Sequence, residues 1–357
     1  MKKKVAVAML YGGRSVEHEI SIRSARNVYA NIDRDRFDVL LIGIDKSGRW
    51  HMVNDFGKPI EEGSPLQIKL DPQQPLLMSA KGKEIFTPDV ALPILHGTDG
   101  EDGSIQGLFA AMNVPVVGSG VLGSAVSLDK VISKQILAAA GIPVAGFMEF
   151  RRHQATGIDY GEVAEKLGLP FMVKSASLGS SVGVSKVRNE REFSSAIAES
   201  FRFDDKIVLE EFIQGRELEC AVIGNERPES TLPGEIIMVK AYEFYDYAAK
   251  YLDGDAVQIK IPADVDPGTS EKIRDTAVRA YRALQCEDYA RVDLFLCPDG
   301  RVVINEINTI PGFTDVSMFP MLWKHMGLSY GQLISKLIDS ARERWELRRI
   351  RQTDYGA

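Results

Sequence analysis

Two runs with alternating character, ARVDLFLC and RVVINEIN, flank Asp299-Gly300, a residue pair favoured in tight hairpin turns. A two-residue turn with Pro298 opposite Arg301 sets Asp293 opposite Glu306 and Arg291 opposite Asn308, all on one face because strand side chains alternate. Opposed residues bring their Cβ atoms to about 4.5–5.5 Å, where two carboxylates repel unless a cation joins them. Oxygen donors from Asp, Glu and Asn suit Mg²⁺ or Mn²⁺ and leave positions for phosphate and water. The other face, with Val292, Leu294, Val303 and Ile307, reads as core.

An ion with few protein ligands commonly holds phosphates, so a phosphate cradle should exist. Lys174 ends the apolar strand Phe171 to Lys174, and a buried ammonium needs an anionic partner. The following loop, ASLGSSVG from Ala176 to Gly183, has Gly179 and Gly183 bracketing Ser180 and Ser181, so backbone N–H groups and hydroxyls can wrap a phosphate. It has neither the GKS/GKT ending of a P-loop nor a GxGxxG fingerprint. Taken alone, a plain glycine turn fits it equally well.

The elements that must position these residues follow from periodicity. Val5 to Met9 predicts a buried strand, Gly12-Gly13 a turn, Ile22, Ala25, Tyr29 and Ile32 one helix face, and Phe37 to Ile44 a second strand. That βαβ order predicts a parallel sheet with ligands at its carboxyl edge. Val90–Leu95 and Val114–Val117 add strands, with a helix at Ser104–Met112. Asp129 to Ala140 is helical, stopped by Gly141 and Pro143. A second module takes strands Phe171–Lys174, Val184–Val187 and Ile207–Glu211 and the helix Glu190–Phe201; a third takes ELECAVIG, EIIMV, the helix Ser270–Leu284 and the hairpin. The last helix, Tyr330 to Arg344, should end in a frayed basic tail. The expected division is 1–120, 121–214 and 215–357.

At 357 residues the chain is about twice the ~150 residues of a single-domain prior. With 45% hydrophobic and 26% charged residues its composition is ordinary for a soluble globular protein. Forty-three Lys and Arg against 50 Asp and Glu give a net charge of -7, which argues against nucleic acid as main partner. Cys220, Cys286 and Cys297 lack any CxxC spacing and read as buried thiols. The apolar run Val5–Leu10 is too short for a signal peptide, and the uncharged stretch between Asp102 and Asp129 carries Gln106, Asn113, Pro115 and repeated Gly and Ser. No membrane segment and a cytoplasmic location are therefore expected.

With these residues in place, the chain resembles the D-alanine:D-alanine ligase family of the ATP-grasp superfamily. The resemblance runs through YGGRSVEHEIS (Tyr11–Ser21), LHGTDGEDGSIQG (Leu95–Gly107), the glycine loop, EFYDYAAKY (Glu243–Tyr251) and the hairpin continuing into NTIPGFTDVSMFP. It implies an α/β fold of three modules: an N-terminal open parallel α/β domain, and two α+β modules gripping ATP. In that family one D-alanine carboxylate attacks the γ-phosphate, and the amine of a second D-alanine displaces phosphate from the acyl phosphate. Transferred to this chain, Lys130, Lys174, Ser180 and Lys250 would meet phosphates. Phe212 would cover the adenine, Glu210 and Ile213 would meet its edge, and Glu217 would take the ribose.

The same resemblance implies two Mg²⁺ or Mn²⁺ ions on Asp293, Glu306 and Asn308, the trio that the hairpin register gives independently. Glu17 and His96 would hold the first D-alanine, and Ser317 and Met318 the second. Arg291 and the N–H of Gly312 would stabilise the oxyanion. Residues 241–255 would form a lid, with Tyr251 bridging toward Ser180 and Glu17. An activating monovalent cation and a homodimer are also implied. Ser175 stands where the family usually has Pro after the phosphate-binding Lys. Other ATP-grasp ligases, including one using D-lactate, share most of this pattern, though relatives forming the depsipeptide usually have His where Tyr251 stands. A catalytically silent nucleotide-binding regulator is the reading from another class; it would be expected to lose Glu17, Arg291 or a metal ligand, and all are present.

Overall fold

The computed structural model describes residues 3–180, 182–239 and 257–350. The apolar run VAVAMLYG makes β1 (Val5–Gly12), which with α1 (His18–Asn31) and β2 (Phe37–Ile44) forms the expected βαβ unit, β1 and β2 pairing in parallel. The chain then departs from expectation. β3 (Trp50–Val53), β4 (Ser64–Lys69), β5 (Leu76–Ser79) and β6 (Glu84–Phe86) run as an antiparallel meander outward from β2, and β7 (Val90–Ile94) returns to the far side of β1 in parallel. The sheet, ordered β6-β5-β4-β3-β2-β1-β7, is mixed, and only β2, β1 and β7 make up its parallel part. The reason is connection length: the links from β2 through β6 are too short to hold a crossover helix, which parallel pairing requires. The strand expected at Val114–Val117 is a single bridge from Val116 to Ala91, because Pro115 has no N–H to extend the ladder.

α2 (Ser104–Ala111), α3 (Val121–Leu128) and α4 (Lys130–Ala139) lead out of this sheet. Asp129 caps α4, its carboxylate accepting from the N–H groups of Val131 and Ile132. A second, antiparallel sheet holds β8 (Phe147–Arg151), β9 (Phe171–Ser175), β10 (Ser185–Val187) and β11 (Lys206–Glu211) in the order β10-β9-β11-β8. One of its faces packs on α5 (Tyr160–Leu167) and α6 (Glu190–Ser200) through Val163, Phe171, Phe193, Ile197 and Leu209.

A third sheet contains β12 (Arg216–Ile223), β14 (Gly234–Met238), β15 (Val257–Lys260), β16 (Tyr289–Leu296) and β17 (Val302–Asn308), with the short β13 (Glu229–Ser230) beside β12. α7 (Pro267–Ala283) packs on it through Ile273, Ala277 and Ala280 against Val222, Val292 and Ile304. α8 (Met318–His325) and α9 (Tyr330–Arg349) join this sheet to the first: Phe319, Leu333 and Leu337 share one apolar cluster with Val7, Met9 and Val90. α9 runs past the expected end at Arg344 to Arg349, so the basic segment 345–349 is helical, and residues 351–357 lie outside the described residues. Arg344 donates to Glu287, to the fully buried Asp288 and to the carbonyls of Val116 and Gly118, and Arg348 pairs with Glu287. No described helix is long and apolar enough to cross a membrane.

Candidate active site

The register at the acidic face is as expected, but it is reached by two departures that cancel. The turn spans three residues, Pro298 to Gly300, with Cys297 N–H bonded to the Arg301 carbonyl at 2.9 Å and Gly300 at φ 78°. That slides the outer ladder by one, pairing Leu294 with Ile304; a bulge at Asn305 restores the pairs Asp293–Glu306 and Arg291–Asn308. Without the bulge Glu306 would project to the core face. One consequence contradicts the sequence reading: Val302 and Ile304, rather than Val303, join the apolar cluster under α7.

On this face Arg291 clasps Asp293 with two N–H groups at 2.7 Å each, and the Asn308 amide donates to Asp293 at 3.0 Å. Burial disfavours the guanidinium charge, yet Asp293 and Glu219 outweigh it and hold the Arg291 pKa well above its ordinary value. Lys130, the first residue of α4, lies 3.4 Å from Glu306 and donates to the Leu178 carbonyl at 2.6 Å, so it ties the hairpin to the glycine loop. Lys174 does have a buried anionic partner: Glu210 on the neighbouring strand, at 2.8 Å. A second lysine, the fully buried Lys134, lies 3.3 Å from the same carboxylate. Burial pushes the Glu210 pKa up, but the two lysines overcome it and bring it to about 2. Burial drives the Lys134 pKa down.

Glu17 occupies the N-cap position of α1 but makes no capping bond. It is 7% exposed, and the Ser180 hydroxyl donates to it across the gap between the first sheet and the glycine loop. Space around it is kept by glycines: a Cβ on Gly97 or Gly179 would sit within 3.0 Å of a Glu17 carboxylate oxygen. His96 is buried, with Nδ1 2.8 Å from the Ile310 carbonyl and Nε2 3.2 Å from the Ser24 hydroxyl. Nδ1–H therefore donates and Nε2 accepts. Burial lowers the His96 pKa, against the pull of Glu17. Ser175 presents no gap, since its hydroxyl donates to the Ser200 carbonyl at 2.9 Å.

These side chains line two adjoining cavities. One, of about 300 Å³ between the second and third sheets, is walled by Lys130, Lys174, Glu210, Phe212, Ile213, Glu217, Asp293 and Glu306. The other, of about 520 Å³, lies between the third sheet and the first-sheet loops; Glu17, His96, Ser180, Arg291, Asn308, Gly312, Ser317 and Met318 line it. Glu306 borders both. Over Phe212 the Lys186 ammonium stands 3.7 Å from the ring centroid. A larger groove of about 1210 Å³ runs between α7 and α9 and contains none of the predicted residues. Lys250, Tyr251 and the expected lid at 241–255 lie outside the described residues.

Models of the D-ala D-ala ligase N-terminus and C-terminus match residues 6–119 and 136–339. The chain belongs to the D-alanine–D-alanine ligase family. It is 47% identical over 353 residues to the D-alanine–D-alanine ligase A of Chromobacterium violaceum, covering 96% of both chains. Among solved structures, the D-alanine-D-alanine ligase from Coxiella burnetii superposes with a TM-score of 0.86 at 35% identity, covering 97% of this chain and 96% of that one. The VanG D-Ala:D-Ser ligase from Enterococcus faecalis gives 0.85 at 34%, covering 95% and 100%. The fold is that of ATP-grasp enzymes, and the family is an ATP-dependent ligase that uses a divalent metal.

Sequence reasoning missed four residues in or beside these cavities. Glu219 follows Glu217 by two on β12, so strand alternation placed it on the same face. Lys134 follows Lys130 by four on α4, which set both on one helix side. Asn305 is the bulge residue and accepts from Lys174 at 3.4 Å. Glu101 accepts the N–H groups of Gly97 and Ile310 at 2.8 and 2.9 Å. Burial, with repulsion from Glu17, raises its pKa from 4.5 to about 8.

Proposed function

We propose that the two cavities hold ATP and two D-alanines, and that the chain joins the amino acids into D-alanyl-D-alanine for peptidoglycan precursor synthesis. The observation that carries this is the shared wall at Glu306. A nucleotide in the 300 Å³ cavity, its phosphates toward Lys130 and Lys174, meets a carboxylate held in the 520 Å³ cavity beside Glu17, His96 and Arg291.

Phe212 and Ile213 take the base, Glu210 orders Lys174 and reaches the base edge, and Glu217 takes the ribose. Glu17 and His96 receive the first D-alanine, Glu17 pairing with its ammonium. Its carboxylate oxygen attacks the γ-phosphorus, the bond to ADP breaks, and an acyl phosphate results. The amine of the second D-alanine, held by Ser317 and the Met318 backbone, then attacks the acyl carbon. Arg291 and the Gly312 N–H stabilise the oxyanion. The peptide bond forms, phosphate leaves with the original carboxylate oxygen, and the amine loses a proton. Lys250 and Tyr251 belong to this proposal from the sequence: Lys250 for the γ-phosphate, Tyr251 for closing the site through Ser180 and Glu17.

Among the described residues no group of three His, Cys, Asp or Glu side chains is arranged to hold a metal ion by itself, so a metal here would rest on Asp293, Glu306 and the Asn308 amide plus phosphate oxygens. That hard-oxygen set, two carboxylates in direct cross-strand register, fits Mg²⁺ or Mn²⁺. When bound, such ions neutralise phosphate charge and hold the γ-phosphate for in-line attack. Two ions, a monovalent activator, a homodimer and a cytoplasmic location complete the reading and rest on the family resemblance.

The test is isotopic. With ¹⁸O in the D-alanine carboxylate, an acyl phosphate delivers one ¹⁸O into the released phosphate per dipeptide. Unlabelled phosphate would contradict the proposed chemistry.

A further inference from the structure

Glu219, Asp293 and Glu306 stand in one row across three adjacent strands, because Glu219 on β12 pairs with Asp293 on β16, which pairs with Glu306 on β17. Arg291, two residues along β16 on the same face, stands between the first two carboxylates. Its Nε–H and Nη2–H are both directed at Asp293, at 2.7 Å. Its Nε also lies 3.0 Å from a Glu219 oxygen, an ion-pair contact made while the hydrogen points elsewhere. Glu219 is 6% exposed, so its charge depends on a nearby cation.

This arrangement conflicts with the use of Asp293 as a metal ligand. A divalent ion would share the Asp293 carboxylate with the guanidinium and the Asn308 amide, whose N–H groups already take most of its roughly four lone-pair sites, and two positive groups on one carboxylate repel. Metal binding is therefore favoured when Arg291 releases Asp293 while its planar donor fork stays in the larger cavity. Glu219 is already in contact and needs only a small rotation of the guanidinium to accept the freed N–H.

We propose that Glu219 is a positioning residue that takes Arg291 over from Asp293, so that metal loading and orientation of the oxyanion donor are one event. The inference rests on the metal reading given under Proposed function. Without Glu219, Arg291 stays on Asp293 and competes with the ion.

The experiment is a Mn²⁺ titration of the full chain with a non-hydrolysable ATP analogue and no D-alanine, read by electron paramagnetic resonance of free Mn²⁺. Wild type, Glu219→Gln, Arg291→Met and the double variant form a cycle. Glu219→Gln alone should weaken Mn²⁺ about tenfold. In the Arg291→Met background the same substitution should change affinity less than about twofold, because the competitor is gone. That restored binding also shows that the Gln variant folds. A tenfold loss in both backgrounds would make Glu219 a metal ligand or a general field effect and overturn the exchange. So would unchanged affinity in Glu219→Gln alone. Asp293→Asn is the separate control: if it binds Mn²⁺ like wild type, the metal assignment itself fails and the exchange with it.

Discussion

Glu101 should make the stability of this enzyme fall as pH rises through the neutral range, and Glu101→Gln should remove that slope. In the folded chain the carboxyl titrates at about 8 against an ordinary value of 4.5, raised by burial and then by Glu17. Between those two values the native state binds a proton that the unfolded state has released, so stability drops with increasing pH. The protonated form is the stabilising one: its contribution is complete below pH 4.5 and gone once pH passes about 8. At ~1.4 kcal/mol per tenfold change in proton activity, the loss between pH 5 and pH 8 is ~3 kcal/mol. The variant carries a fixed cost, because both Glu101 oxygens accept backbone N–H groups, and the amide NH₂ of Gln faces one of these donors with another donor. That costs about 1–3 kcal/mol at every pH. The variant should thus be weaker than wild type at pH 5 and equal or stronger at pH 8. Urea unfolding of both proteins at half-unit intervals measures the difference directly and cancels the titration of other groups. A gap that stays constant within ~0.5 kcal/mol from pH 5 to 8 would show that Glu101 is not held neutral.

Asp293→Asn and Glu306→Gln should each abolish ligation while leaving the thermal midpoint of the unliganded protein near wild type, and the stabilisation by Mg-ATP in a melting assay should shrink in both. Arg291→Lys should lower the rate by ~10²–10³ through loss of the planar donor fork, with little change in ATP affinity; an equal loss of nucleotide binding without D-alanine would move Arg291 out of the oxyanion role. Arg344→Met leaves Asp288, fully buried, without its cation and should cost about 3–5 kcal/mol in denaturant unfolding, with normal turnover by the remaining folded molecules. Tyr251→Phe should lower the rate and raise the fraction of ATP hydrolysed without dipeptide, as water reaches the acyl phosphate; one-to-one coupling would leave Tyr251 without that role.

The hairpin shows how far a sequence can be read here. Composition and alternation identified both strands, and the expected pairing of Asp293 with Glu306 is the pairing observed. The turn geometry was misread, and the Asn305 bulge, which no propensity announces, restored the pairing at the site but not at Val303. In the N-terminal sheet the βαβ unit was legible from period and glycine turn, whereas the meander from β3 to β6 consists of three- to six-residue strands too short for a clear pattern. Glu17 was visible as a helix-start acid, and its burial against Ser180 distinguishes it from an ordinary dipole-favoured residue. Lys174 was expected to need an anion, but its resident partner, Glu210, lies on a neighbouring strand 36 residues later, beyond any local signal. Glu101, Glu219 and Lys134 were missed for a related reason: a charged residue in sequence reads as surface until the tertiary packing buries it.

The most direct measurement of the central claim follows phosphate release and dipeptide formation together, in Mg²⁺ and ATP, with D-alanine, L-alanine, D-serine and D-alanine plus D-lactate in parallel. Phosphate release should require D-alanine, with one phosphate for each D-alanyl-D-alanine formed and no comparable release with L-alanine. ATP cleavage indifferent to D-alanine, or D-alanine-dependent cleavage without dipeptide, would contradict that claim.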